Sequence, residues 1–241
     1  MKNVFGLILI TLFTLSCNAQ WGKKIKGNGE VVTVERSVGD YEAIAVAGWF
    51  DVNIVSGREG EISLKGEENL LEYIKTEVKN GKLTIKVKKG YNLQSSNWKN
   101  GIQVTVPVES VNSVALSGSG DIVGKDVLRA DEFNAVISGS GDINLSVEAD
   151  ILKAVIAGSG DIVLNGKARD FKVTVSGSGD VEAFDLSADH VKANVSGSAN
   201  IKVNANKSII ARVSGSGDIL YKGDPEKVDS KASGSGDINK A

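Results

Sequence analysis

The sequence predicts an all-β protein, a β-helix in which each coil takes about 19 residues. The first observation is the hexapeptide SGSGDI, found at residues 117–122, 138–143, 214–219 and 233–238. Close variants are AGSGDI at 157–162, SGSGDV at 176–181 and SGSANI at 196–201, and successive copies begin 21, 19, 19, 20, 18 and 19 residues apart. This period is too short for a helix pair or a propeller blade, and the Leu/Asn pattern of leucine-rich repeats is absent.

The second observation is an alternation of apolar residues around each copy. Positions one, three and five before the motif are mostly apolar, which is the period of a strand with one buried face. The last residue of the motif starts another inward run. Each coil is therefore predicted as strand, SGSG corner, strand and short polar return, with core positions such as Phe133, Leu152, Phe171, Ile137, Ile156, Val175, Val228 and Ala232.

The N-terminus carries a targeting segment. Residues 1–19 hold one lysine and an apolar run from Val4 to Leu15, too short to span a bilayer and typical of a signal peptide. Two cleavage patterns fit: a lipobox ending in Cys17, which then becomes a lipidated N-terminus, or cleavage after Ala19. The first predicts an outer-membrane lipoprotein, on its periplasmic or surface face, that touches the membrane through its lipid alone; the second predicts a secreted or periplasmic protein.

The region before the regular coils follows the repeat more loosely. Residues 20–27 are predicted as a linker, 28–110 as the first coils with a hairpin and a loop that cap one end, and 111–241 as regular coils of the same domain, giving nine to ten coils in all. AGWFDVNI at 47–54 matches the motif in register. Asn80-Gly81 between two alternating runs predicts a type I′ hairpin, and residues 66–74 one helical turn.

Outward positions of the first strand carry a basic column, Lys153, Lys172 and Lys192, and an apolar stripe, Ala115, Val136 and Val155. Two interpretations of the stripe stand: an N-terminal loop covers it, or it binds a partner.

Composition excludes several classes of function. A net charge of −2 gives no support for nucleic acid or an anionic membrane surface as a partner. The single cysteine leaves no disulfide framework, and the single histidine, His190, is expected to be a solvated surface residue. Ser–His catalysis and His-based metal sites therefore have little support.

The aspartates of the motif form one column: Asp121, Asp142, Asp161, Asp180, Asp218 and Asp237. The favoured interpretation is a structural corner, in which each carboxylate accepts backbone N–H groups as the Asn200 copy also can, while glycine supplies positive φ. Ca²⁺ binding and a sugar-binding edge are alternatives, so Ca²⁺ is the one cofactor considered and no metal site is assigned.

No catalytic residues are predicted. Coils of 18–21 residues leave no room for the long loops that build a polysaccharide-cleaving groove, and the repeated aspartates single out no one coil. Binding or a structural role in the envelope is predicted instead, with an unidentified glycan or protein ligand and an unassigned oligomeric state. The candidate ligand face consists of Trp49, Tyr91 and Trp98.

Several of these segments occur together in one bacterial family. The export signal, the G-W-F-D-V segment, the run EVKNGKLTIKV and the serial SGSGDI coils resemble the family described as putative auto-transporter adhesin, head GIN domain, common in Bacteroidetes, over roughly residues 38–240. The resemblance implies that the β-helix is right-handed and that the protein belongs to the cell envelope. It brings no catalytic residues, and no C-terminal barrel like that of a true autotransporter is predicted.

Overall fold

The computed structural model describes residues 22–97, 99 and 101–241, so that Cys17, the segment 1–19 and Trp98 lie outside it. Within this part the chain forms eighteen strands and one short helix. In chain order they are β1 Lys23–Lys26, β2 Val31–Ser37, β3 Ala43–Gly48, β4 Asp51–Ser56, β5 Glu61–Glu67, α1 Glu68–Leu71, β6 Ile74–Lys79, β7 Lys82–Val87, β8 Tyr91–Gln94, β9 Gln103–Val108, β10 Ser113–Gly118, β11 Ile122–Gly139, β12 Ile143–Gly158, β13 Ile162–Gly177, β14 Val181–Gly197, β15 Ile201–Gly215, β16 Ile219–Lys222, β17 Lys227–Gly234 and β18 Ile238–Lys240.

The regular coils confirm the predicted β-solenoid. Strands β11 to β15 each span nearly one coil and pair in parallel, in register, with the coil before and after. Inward positions stack like over like, so that Phe133 pairs with Leu152 and Leu152 with Phe171, and all three are buried. The apolar alternation therefore fills one continuous core along the rod.

The solenoid has about seven turns, fewer than the nine to ten expected. The difference arises between β4 and β10, because the strands in this segment do not stack as successive coils in the order of the chain. Strand β3 pairs with β10 on one side and β7 on the other, and β4 lies between β11 and β9. Strands β7 and β9 thus stack outside β3 and β4 although they follow them in the chain.

Antiparallel strands end the stack at its N-terminal side. The β6–β7 hairpin turns at Asn80 and Gly81, with φ of 52° and 70°, as the Asn-Gly signal predicted. Strand β5 pairs antiparallel with β2 and β9, and the helical turn predicted within 66–74 is α1. Within the predicted linker 20–27, β1 pairs in parallel with β8.

The other end of the stack is open among the described residues. Strand β17 pairs with β15 alone, and all eight of its residues are exposed. Val228 is 49% exposed, and Ala232 is exposed as well, because no further described coil covers these two predicted core positions.

Candidate functional site

The first glycine of each corner is fixed by both backbone conformation and space. At Gly158 φ is +147°, and a Cβ there would lie 2.2 Å from the carbonyl oxygen of Gly139 in the previous coil. The following serine N–H donates to that same carbonyl in every coil, at 2.8–3.0 Å. Glycine is therefore required for coils to approach closely.

The corner aspartates form a hydrogen-bonded ladder along the rod. In each step the backbone N–H of the corner aspartate or asparagine donates to Oδ1 of the equivalent residue in the preceding coil, at 2.6–3.3 Å. The residue after each aspartate donates its N–H the other way, to the carbonyl of the next aspartate or asparagine. The ladder runs Asp51, Asp121, Asp142, Asp161, Asp180, Asn200, Asp218 and Asp237.

This geometry has the hydrogen bonds that a structural corner requires. Asn200 continues the ladder, and its side-chain amide also donates to Asp180 at 3.2 Å. In the described part of the chain, no three His, Cys, Asp or Glu side chains are grouped as a metal site. Cation binding by the ladder stays an untested prediction.

Asp51 is the first step of the ladder and was not among the predicted site residues. Its signal was present, because AGWFDVNI aligns with the motif and places Asp51 in the aspartate column. Burial raises the pKa of Asp51, and the charge of Asp121 acts in the same direction, while the hydrogen bond from the Asp121 N–H opposes them. Asp51 thus lies where the repeat meets the irregular N-terminal region.

The corner preceding Asp51 differs from all the others. Trp49 and Phe50 replace Ser-Gly, and Phe50 is buried, with its ring packed over Gly48. Trp49 is half-buried and packs partly against the core. Its side chain lines an open groove of about 430 Å³ together with Asp51, Leu93, Gln94, Ser95, Asn97 and Gly101. We call this the Trp49 groove.

The predicted ligand-face residue Tyr91 is not among the described residues that line the Trp49 groove. Tyr91 packs against Tyr73, with ring centroids 4.5 Å apart, and is 36% exposed. Trp98 lies outside the described residues.

A buried carboxylate holds the loop that borders the Trp49 groove. Glu67 is fully buried and accepts the backbone N–H groups of Gly29 at 2.6 Å and Ser96 at 2.7 Å. Burial by itself raises the pKa of Glu67, but these backbone bonds and the Ser96 side chain outweigh it, so that the net pKa is lowered. Nothing in the sequence distinguishes this glutamate from the exposed ones.

A second groove, of about 590 Å³, lies on the return side of the coils, with Ala130, Ala149 and Ala168 as its floor. Its charged walls pair with each other, Arg129 with Glu148 at 3.0 Å and Arg169 with Asp150 at 3.5 Å. These ion pairs connect neighbouring coils.

The histidine is exposed, as expected, and lies beside a serine. Nδ1 of His190 is 2.8 Å from Oγ of Ser208, and Asp170 pairs with His190 in the register. The Asp170 carboxylate, however, accepts from Arg169 at 2.9 Å. The three side chains therefore lack the relay of hydrogen bonds on which a catalytic triad depends.

The Trp49 groove combines an aromatic ring with amide and carboxylate groups. An indole offers a broad π face with negative potential, and the amides of Gln94 and Asn97 both donate and accept hydrogen bonds. The lining contains no histidine, cysteine, lysine or arginine among the described residues. This set suits binding of a neutral polar ring.

Comparison with known proteins identifies the family. The model of the family described as "putative auto-transporter adhesin, head GIN domain" matches residues 40–225. The chain belongs to this family. Comparison with curated proteins gives no match.

Solved structures agree with the fold. A "putative adhesin" from Bacteroides fragilis is 25% identical, with a TM-score of 0.85 over 90% of this chain and 100% of that one. A "putative lipid binding protein" from Parabacteroides distasonis is 28% identical, with a TM-score of 0.75 over 91% and 100%. A "putative adhesin" from Parabacteroides merdae, 24% identical with a TM-score of 0.73 over 91% and 100%, shares the fold.

Among the residues that the structure describes, no helix is long and apolar enough to cross a membrane.

Proposed function

We propose that the protein is an exported, non-enzymatic module of the cell envelope that binds a carbohydrate in the Trp49 groove. The observation that carries this proposal is the irregular corner, where an aromatic side chain replaces serine beside Gln94, Asn97 and Asp51 in a groove of about 430 Å³. That volume is in the range of small-ligand sites.

Each group in the groove has a defined part in binding. The C–H bonds of a sugar ring carry partial positive charge and pack on the negative face of Trp49. Gln94 offers an amide to the hydroxyl groups, and Asp51 offers carboxylate oxygens. The Asn97 side-chain oxygen already accepts the Lys99 N–H at 2.8 Å, so the loop presents Asn97 in a fixed orientation.

The adhesin descriptions of the family and of the Bacteroides fragilis protein support a binding role. The Parabacteroides distasonis protein is described as lipid-binding, which makes a lipid the competing ligand class. A non-enzymatic role is supported by the descriptions of the family and of these two proteins, which name adhesion or lipid binding and no catalytic activity.

Export and lipid attachment at Cys17 complete the proposal. The apolar run before Cys17 and the single cysteine of the chain support it. Radioactive palmitate should label the wild-type chain in cells and leave Cys17→Ser unlabelled. Equal labelling of both, or none of the wild type, would contradict the lipid anchor.

A glycan array tests the ligand class. Residues 22–241 contain every described strand and the whole core, and are used for the measurement. We expect binding to at least one envelope oligosaccharide, weakened about tenfold, or about 1.4 kcal/mol, by Trp49→Ala and by Gln94→Ala.

Tyr91→Ala, an exposed aromatic outside the Trp49 groove, is the matched control and should bind as the wild type does. Gln94→Ala separates lost binding from lost folding, since Trp49 also packs against the core. Glycan binding that both groove variants retain would refute the proposal. Binding to lipid vesicles with no binding to any glycan would refute it as well.

A further inference from the structure

One face of the rod carries a local excess of basic side chains. The outward side chains of the first strand of each coil lie on one continuous sheet face with those of the β6–β7 hairpin, because β6, β7, β3, β10 to β15 and β17 pair in register. This face carries nine basic side chains and two carboxylates, whereas the whole chain has a net charge of −2. The basic residues are Lys75, Lys79, Lys82, Lys86, Lys153, Lys172, Lys192, Arg212 and Lys231, and the carboxylates are Glu77 and Asp229. We call it the basic face.

Most of these cations make no ion pair in the described part of the chain. The three that do are Lys75 with Glu77, Arg212 with Asp229, and Lys153 with Glu132 at 2.6 Å. The remaining six are exposed lysines, whose charges are available to a ligand: Lys79, Lys82, Lys86, Lys172, Lys192 and Lys231.

The cations form two clusters rather than one row. Between β7 and β12 lie three strands whose outward residues are small or uncharged: Ala43, Ala45, Ala47, Ser113, Ala115, Ser117, Asn134, Val136 and Ser138. At about 4.8 Å per strand, the two clusters are roughly 19 Å apart. The predicted apolar stripe belongs to this strip and extends to Val155, which is 38% exposed.

One border of the basic face is acidic. The aspartate ladder lies past the corner, beyond the first serine of each motif. On the return side, Glu132, Asp150, Asp170 and Asp189 pair with Lys153, Arg169 and Lys207, so that their charges are compensated. A negatively charged partner is therefore attracted by the face and repelled by the ladder, which favours contact across the face itself.

We propose that the basic face binds the surface of a membrane that contains anionic lipids. A plane of negatively charged headgroups can meet both lysine clusters at once, and the small residues between them let it approach closely. A linear polyanion would cross roughly 19 Å between the two clusters without meeting a positive charge. Neither the Trp49 groove nor the groove over Ala130, Ala149 and Ala168 includes a residue of the basic face.

Vesicle sedimentation tests the proposal with residues 22–241, which lack the candidate lipid anchor. We expect binding to phosphatidylcholine vesicles with about 30% phosphatidylglycerol, and little binding to phosphatidylcholine alone. Each lysine near such a surface raises the binding constant about fivefold, so Lys172→Gln/Lys192→Gln and Lys82→Gln/Lys86→Gln should each reduce binding at least tenfold. Binding should also fall steeply as NaCl rises from about 0.05 to 0.5 M.

The matched control is Lys125→Gln/Lys167→Gln, which removes the same charge from exposed sites outside the basic face. It should bind vesicles as the wild type does, and so should Trp49→Ala, since the Trp49 groove is a separate site. Absent binding to anionic vesicles, or an equal loss in the control, would overturn the proposal. Binding to alginate without binding to vesicles, or self-association of the chain at low salt, would overturn it too.

Discussion

The regular coils and the N-terminal region use the same corner differently. From β10 onward every coil repeats one glycine contact, one hydrogen bond to an aspartate or asparagine side chain and one set of inward residues. In residues 22–112 the chain stacks strands out of sequence order, adds antiparallel pairs and replaces Ser-Gly by Trp49-Phe50. Repetition produces a uniform rod, while the departure from it produces both the closed end and the Trp49 groove.

The largest expected effect tests whether Phe50 acts as a residue of the repeat or of the closed end. Phe50→Gly restores the residue that most other corners have at this place. Because Phe50 is buried and its ring packs over Gly48, we expect a loss of about 3–5 kcal/mol in the free energy of unfolding. Chemical denaturation measures it, and a change below about 1 kcal/mol would show that the first corner follows the repeat after all.

A reciprocal change probes the regular coils. Gly158→Ala places a Cβ about 2.2 Å from the Gly139 carbonyl oxygen at a φ of +147°, so we expect a loss of about 3 kcal/mol or more. Ser159→Ala, at the exposed next residue, is the control and should change stability by less than about 0.5 kcal/mol. A tolerated Gly158→Ala would mean that coils separate more easily than their hydrogen bonds indicate.

Glu67 tests what holds the irregular region together. Glu67→Gln leaves the N–H groups of Gly29 and Ser96 with a weaker acceptor, and we expect a loss of about 1–3 kcal/mol at neutral pH. Since the pKa of Glu67 is lowered from its ordinary 4.5 in the folded protein, its contribution is present above pH 4.5 and is lost as the pH falls through the lower folded value.

Denaturation at neutral pH and near the pKa of Glu67 provides the check. The difference between wild type and Glu67→Gln should shrink in acid. A difference that is constant across pH would show that the charge of Glu67 contributes nothing to stability.

The smallest effect concerns the aspartate ladder. Asp161→Asn keeps an oxygen acceptor for the Asp180 N–H and copies the natural Asn200, so stability should change by less than about 0.5 kcal/mol. Asp161→Ala removes the acceptor and should cost about 1 kcal/mol. The melting temperature should be equal in EDTA and in excess Ca²⁺, and a large rise with Ca²⁺ would favour the cation interpretation.

The regular coils were predictable because equivalent positions of successive coils have the same requirement for burial or exposure. The alternation around Phe133, Leu152 and Phe171 fixes which side is buried, and Asn80-Gly81 fixes the hairpin turn. The stacking of β7 and β9 outside β3 and β4 was not predictable, since the sequence of a strand does not indicate which other strand it pairs with in parallel.

Among the residues of the proposed site, Trp49 was predicted as an aromatic residue that could stack on a sugar, whereas Glu67 and the loop of Gln94 and Asn97 were missed. Their proximity to Trp49 depends on the out-of-order stacking. Of the basic face, the sequence predicted only the column of Lys153, Lys172 and Lys192. The hairpin lysines Lys82 and Lys86 were missed because they join the face only through the pairing of β7 with β3.

The most direct test of the central claim, that the repeated corners are structural and the irregular corner binds, is titration calorimetry with the strongest ligand from the glycan array. Gln94→Ala in the Trp49 groove should weaken binding about tenfold, and Asp161→Asn in the ladder should leave it unchanged. Weaker binding in Asp161→Asn with unchanged binding in Gln94→Ala would contradict the account and return the site to the repeated motif.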